Sequence, residues 1–151
     1  MKMNKIKCEI EFLVFLMFVF QFIGCKKSDN KNTDSIPLQN EWILSAVQST
    51  LTHKMIQYPA SFDRQESVKF TDTLVILSGL CNGGQGKYLV KDKNLTITTL
   101  ITTQRACADN EYNNWEDFMA NNLTDSYSFE ISDKTLLIYS KGDYNLVFTL
   151  K

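Results

Sequence analysis

Apolar residues fall along this chain in three regimes. Residues 12–23 are apolar almost throughout, with Gln21 the polar break. Residues 26–40 carry almost nothing to bury. From Trp42 onward, short apolar or alternating runs are separated by compact polar groups. That last regime predicts strands over 42–48, 68–70, 74–77, 87–90, 95–100, 126–131, 136–139 and 146–150, because β-branched and aromatic residues dominate each run. The groups at 91–94, 132–134 and 141–143 supply turns between them, the last with Gly142 free to take a positive φ. Hairpins joined as a meander follow from this spacing.

Two segments break the rhythm. Residues 53–66 include Pro59 and many polar side chains without a clean period, which predicts a long loop or irregular hairpin. Residues 110–123 place Tyr112, Trp115, Phe118, Met119 and Leu123 at helical spacing, and Asn113 with Glu116 three residues on fits a capping box. The ordinary meaning of such a stripe is core packing against a sheet. The expected fold is therefore mainly β with one α-helix, a single domain over residues 41–151 long enough to bury its own core.

The first regime is an address. Lys2, Lys5 and Lys7 precede the apolar run, which is shorter than the roughly 20 residues needed to span a bilayer, so residues 1–24 read as a signal peptide. It closes on Phe22-Ile23-Gly24-Cys25, which resembles a lipobox with Phe in place of the usual Leu. Cys25 would then carry a thioether-linked diacylglycerol, and residues 25–40 would be a flexible tether reaching roughly 20 Å. Cleavage elsewhere, or an uncleaved anchor, is the alternative; Glu9 and Glu11 are unusual beside such a core.

Lys26 is not the Asp that, in the enterobacterial sorting rule, retains a lipoprotein in the inner membrane, so outer-membrane placement is expected in a Gram-negative cell. Removal of residues 1–24 takes three lysines and two glutamates and moves the net charge from −1 to −2. A near-neutral domain has no concentrated basic face for nucleic acid. Lys26 and Lys27, next to the lipid, suit anionic headgroups. The expected partners are the membrane, through the lipid at Cys25, and an unknown envelope protein.

Cysteine usage fits that address. With Cys8 leaving in the signal and Cys25 consumed by lipid, Cys81 and Cys107 remain as an even pair in a compartment that permits disulfides. A bridge would contribute about 3 kcal/mol in the chain-entropy model. Two buried free thiols are the competing reading, since Cys packs well as a small hydrophobe.

Catalytic and metal chemistry find little support. The single histidine, His53, sits in a polar segment without a patterned partner, and neither a nucleophile elbow nor a metal-ligand spacing exists. Adjacent Glu116 and Asp117 diverge by about 100° on a helix and read as a solvated face. Gly83, Gly84 and Gly86 suggest a glycine turn, because the strand pattern of Lys87-Tyr88-Leu89-Val90 follows where a phosphate loop would need a helix. Arg105, close to Cys107, is the most interesting cation. No cofactor, metal ligand or catalytic residue is expected.

The stretch Cys81-Asn82-Gly83-Gly84-Gln85-Gly86-Lys87-Tyr88 is similar to the Cys-Asn-x-x-x-Gly-x-Tyr signature of META domains, the HslJ-like heat-shock and lipoprotein family. Thr103-Gln104-Arg105-Ala106-Cys107 resembles that family's Thr-x-x-Ala-Cys element, and Trp42 would be the tryptophan that opens the domain. Leu80 stands where the family usually has Gly. The resemblance covers about residues 41–150 and implies a small antiparallel β-barrel-like domain with one helix, usually extracytoplasmic and without agreed chemistry. The expected function is a non-enzymatic envelope lipoprotein working by protein contact in envelope maintenance or stress tolerance. The runner-up is a lipid-tethered inhibitor of the lysozyme-inhibitor kind, or a small-ligand-binding barrel.

Overall fold

The computed structural model describes residues 37–105 and 107–151. The expected signal peptide, Cys25 and most of the expected tether therefore lie outside the described residues. Strands run in the order β1 (Glu41–Ser49), β2 (Met55–Gln57), β3 (Ser67–Phe70), β4 (Leu74–Ser78), β5 (Gly83–Lys91) and β6 (Asn94–Thr102). The helix α1 (Asn110–Thr124) follows, then β7 (Ser126–Ser132), β8 (Thr135–Ser140) and β9 (Tyr144–Leu150). All neighbouring pairs are antiparallel, and β1 meets β9, so eight strands close into a barrel while β2 is an extra strand on β1. The expected barrel with one helix is what the described residues form.

Closure depends on β1. Its N-terminal half pairs with β3 and its C-terminal half with β2, while its other edge follows β9 from Trp42↔Leu150 to Ser49↔Tyr144. A bulge between Leu44 and Ala46 shifts the register, which explains why Ala46 and Val47 are buried consecutively where strict alternation would expose one of them. Trp42 is fully buried, and its indole N–H donates to the Leu38 carbonyl at 2.9 Å, so the largest core side chain leaves no orphan donor. Phe70, Leu95, Leu136, Ile138, Leu146 and Phe148 complete the same core.

The weakest closure is between β6 and β7, which share the single ladder pair Asn94↔Ser128. The helix joins these two strands in sequence and packs against β6, β8 and β9. It buries Trp115, Met119, Asn122 and Leu123. Phe118, expected in the core stripe, is half-buried at its border, edge-on to Tyr144 with ring centroids 4.9 Å apart. The helix also starts earlier than the Asn113–Glu116 box predicts: Asp109 is the N-cap, its carboxylate accepting from Glu111 N–H at 2.8 Å.

The glycine-rich segment is strand rather than turn. Gly84 pairs with Leu77 on one side and Thr102 on the other. A Cβ on Gly84 would lie 2.8 Å from the Ile101 carbonyl, and one on Gly86 would lie 3.2 Å from Leu100 Cα. Close approach of β5 and β6 is thus what requires glycine here. The register shifts between Gln85 and Lys87, so Thr99 and Leu100 together oppose Gly86, with Thr99 at a φ of 57°. Gly142 differs from expectation in the same way: its φ is not positive, and a Cβ there would meet Asn122 Oδ1 at 2.7 Å. Asp92 and Asp133 take the left-handed φ values in their hairpin turns, as short polar side chains tolerate. The segment 53–66 is the short strand β2, which forms a hairpin with β1, followed by an irregular loop to β3, with His53 in the left-handed region at φ 57°.

Candidate functional site

The two cysteine motifs meet against the helix. β4 ends at Ser78, and a turn closed by Gly79 N–H donating to the Asn82 carbonyl (2.8 Å) presents Cys81 and Asn82 before β5 begins. The segment after β6 brings Thr103, Arg105 and Cys107 alongside. Cys81 and Cys107 are joined as a disulfide with Cα atoms 5.9 Å apart, inside the range a bridge requires.

Asn82 is the strut between these segments. Its Oδ1 accepts from Thr103 Oγ1–H (3.0 Å) and Arg105 N–H (2.7 Å). Its Nδ2 donates to the Arg105 carbonyl (2.9 Å) and to Glu116 Oε2 (2.6 Å). Two donors and two acceptors exhaust the hydrogen-bonding capacity of a carboxamide. A shorter or acidic side chain at this place in the signature would break at least one of the four.

Glu116 ties the turn to α1. Its Oε1 accepts from the backbone N–H groups of Cys81 (2.6 Å) and Asn82 (2.7 Å), charge-assisted bonds that offset partial burial of the carboxylate. Its Oε2 lies 3.6 Å from Cys81 Sγ and 3.7 Å from Cys107 Sγ. Glu116 is therefore neither a cap nor a solvated face, although adjacent Asp117 is exposed as expected. Gly79 leaves the space this requires, since a Cβ there would sit 2.6 Å from both Glu116 Oε1 and the Asn82 carbonyl. Sequence spacing missed the role of Glu116, because the contact spans 35 residues and only the fold sets it.

A cavity of about 510 Å³ adjoins this knot, lined among others by Asn82, Thr103, Arg105, Glu116 and Met119. Arg105 contributes its backbone to Asn82, and its exposed side chain belongs to the cavity wall. His53 lies elsewhere, exposed in the β1–β2 hairpin, and joins no metal-ligating cluster among the described residues.

One further group escaped the sequence. Glu66, just before β3, is 0 % exposed, and neither carboxyl oxygen has a hydrogen-bond partner among the described residues. Burial, with repulsion from Glu116 second, pushes its pKa up to about 8. Glu66 is thus a protonated acid at neutral pH. Nearby Tyr58 is raised as well, first by burial and then by Glu66, and its ring stacks edge-on against Trp115 at 5.1 Å.

A closed antiparallel barrel whose Cys-Asn turn is bridged to a second cysteine segment and clamped by a helical glutamate defines the class. The chain belongs to the META domain family, whose model matches residues 36–151. No curated protein matches it. Solved structures share the fold: an NMR structure of a protein from Burkholderia xenovorans has a TM-score of 0.61 at 20% identity, covering 75% of this chain and 82% of that one. A crystal structure of a DUF4847 family protein from Bacteroides vulgatus has a TM-score of 0.53 at 11% identity, covering 74% and 92%. The META domain is not a known enzymatic family. Among the described residues no helix is long and apolar enough to cross a membrane.

Proposed function

We propose that this chain is a non-enzymatic envelope lipoprotein, anchored through Cys25 in the outer membrane, whose META domain acts by protein contact in envelope maintenance or stress tolerance. The observation that carries this reading is the use made of the polar groups at the family signature. Asn82 and the Oε1 of Glu116 are spent on holding the turn, the segment after β6 and the helix together, which builds a rigid knot out of the polar groups of the signature. A disulfide within the knot suits an oxidising compartment, and the run of residues 12–23 ending near Cys25 supplies the route there.

The test is fractionation of cells expressing the full chain or its Cys25→Ala variant. The parent is expected in the membrane fraction and the variant outside it, and a variant that still sediments with membranes would refute anchoring. Complementation of a deletion strain under envelope stress by the parent, but not by Cys25→Ala, extends the test to function. The cavity of about 510 Å³ favours a second reading as a ligand binder or inhibitor, since it exceeds the roughly 300 Å³ lower bound of small-molecule sites. Stoichiometric inhibition of lysozyme by the purified protein would select that reading.

A further inference from the structure

We propose that opening the Cys81–Cys107 bridge creates a divalent-cation site of the zinc class, with Cys81 Sγ, Cys107 Sγ and Glu116 Oε2 as protein ligands, so that disulfide and metal are alternative states of one locus.

Geometry carries the argument. Bond lengths of about 2.3 Å to sulfur and about 2.0–2.2 Å to oxygen place S and O about 3.5 Å apart around a tetrahedral zinc ion. Glu116 Oε2 already stands 3.6 Å from Cys81 Sγ and 3.7 Å from Cys107 Sγ. The donor atoms of Cys81, Cys107 and Glu116 all lie within 4.8 Å of one another. Only the two sulfurs need to part, to about 3.8 Å in the same tetrahedral arrangement.

Support around the ligands is also in place. The backbone N–H groups of Cys81 and Asn82 hold Oε1, and Asn82 Nδ2 donates to Oε2, so the carboxylate stays turned toward the sulfurs. Because the same carboxylate lines the cavity of about 510 Å³, a water has room to complete the coordination. Two thiolates and one carboxylate neutralise a dication and leave the site at a net charge of −1, and the thiolate donors favour a borderline-soft cation over calcium or magnesium, which take oxygen ligands.

The conversion balances with a dithiol reductant. Its two electrons cleave the S–S bond of the protein, its own sulfurs join as a disulfide, and its two protons go to Cys81 and Cys107. The cation then displaces those two protons to solvent as the thiolates bind.

The test uses the full chain carrying Cys8→Ser and Cys25→Ser, so that only the two thiols in question remain. It is reduced under argon with a phosphine, freed of the phosphine, and titrated with Co²⁺. The reduced chain is expected to bind Co²⁺ stoichiometrically with a thiolate-to-cobalt charge-transfer band that Zn²⁺ abolishes, whereas the oxidised chain shows no band. Cys107→Ser should remove the band, and Glu116→Gln should weaken binding by about tenfold or more. A reduced chain without the band, or one whose affinity is unchanged by Glu116→Gln, overturns the proposal. Should Glu116→Gln lose its far-ultraviolet circular dichroism, the comparison of reduced with oxidised parent decides the question.

Discussion

Glu66 makes the stability of this domain depend on pH in a direction opposite to that of most carboxylates. Its carboxyl moves from the ordinary 4.5 to about 8 in the folded state, chiefly because burial penalises the charge. That displacement corresponds to about 5 kcal/mol of preference for the proton. The folded state keeps a proton that the unfolded chain gives up, so the stabilising contribution is complete below pH 4.5 and is lost as pH rises toward 8.

Replacement by Gln removes the titration at similar volume. The amide has no partner in that pocket either, which adds a pH-independent cost of about 1–3 kcal/mol. The informative quantity is therefore the slope. Urea denaturation of parent and Glu66→Gln at pH 5 and pH 8.5 should show the stability difference moving in favour of the variant by about 4 kcal/mol across that interval. A difference constant to within about 1 kcal/mol would mean that Glu66 is solvated or paired in the folded protein, and the reasoning would fail.

Other perturbations probe the knot and the helix. Reduction of Cys81–Cys107, which span 26 positions, should lower stability by about 3 kcal/mol, read as a shift of the urea midpoint with and without reductant. Glu116→Ala leaves the N–H groups of Cys81 and Asn82 without their carboxylate, and should cost about 2–3 kcal/mol while accelerating amide hydrogen exchange at those two positions. Met119→Ala, at a site 1 % exposed, should cost about 2–5 kcal/mol, with half-buried Phe118→Ala costing less; equal losses by thermal denaturation would return Phe118 to the core.

The strands at 74–77 and 146–150 and the helix over 110–123 were legible because each stands on local information, alternation or a 3.6-residue stripe that survives into the fold. Tertiary contact decided where that information was silent. The glycines at 83–86 have no side chain to betray a strand, and only the approach of β6 explains them. The phase of β1 changes at a bulge imposed by β9, which no periodicity within residues 41–49 encodes.

The candidate site divides along the same line. The spacing of Cys81-Asn82 and Cys107, read as a pair in an oxidising address, indicated the bridge, since a family signature is a local string. The Glu116 clamp and the unpartnered acid at Glu66 were invisible, because a carboxylate looks the same in a sequence whether water or protein surrounds it. Local pattern along the chain thus determined most of the elements and their order, whereas hydrogen-bond partners and desolvation exist only once distant segments have been brought together, and they set the chemistry of the site.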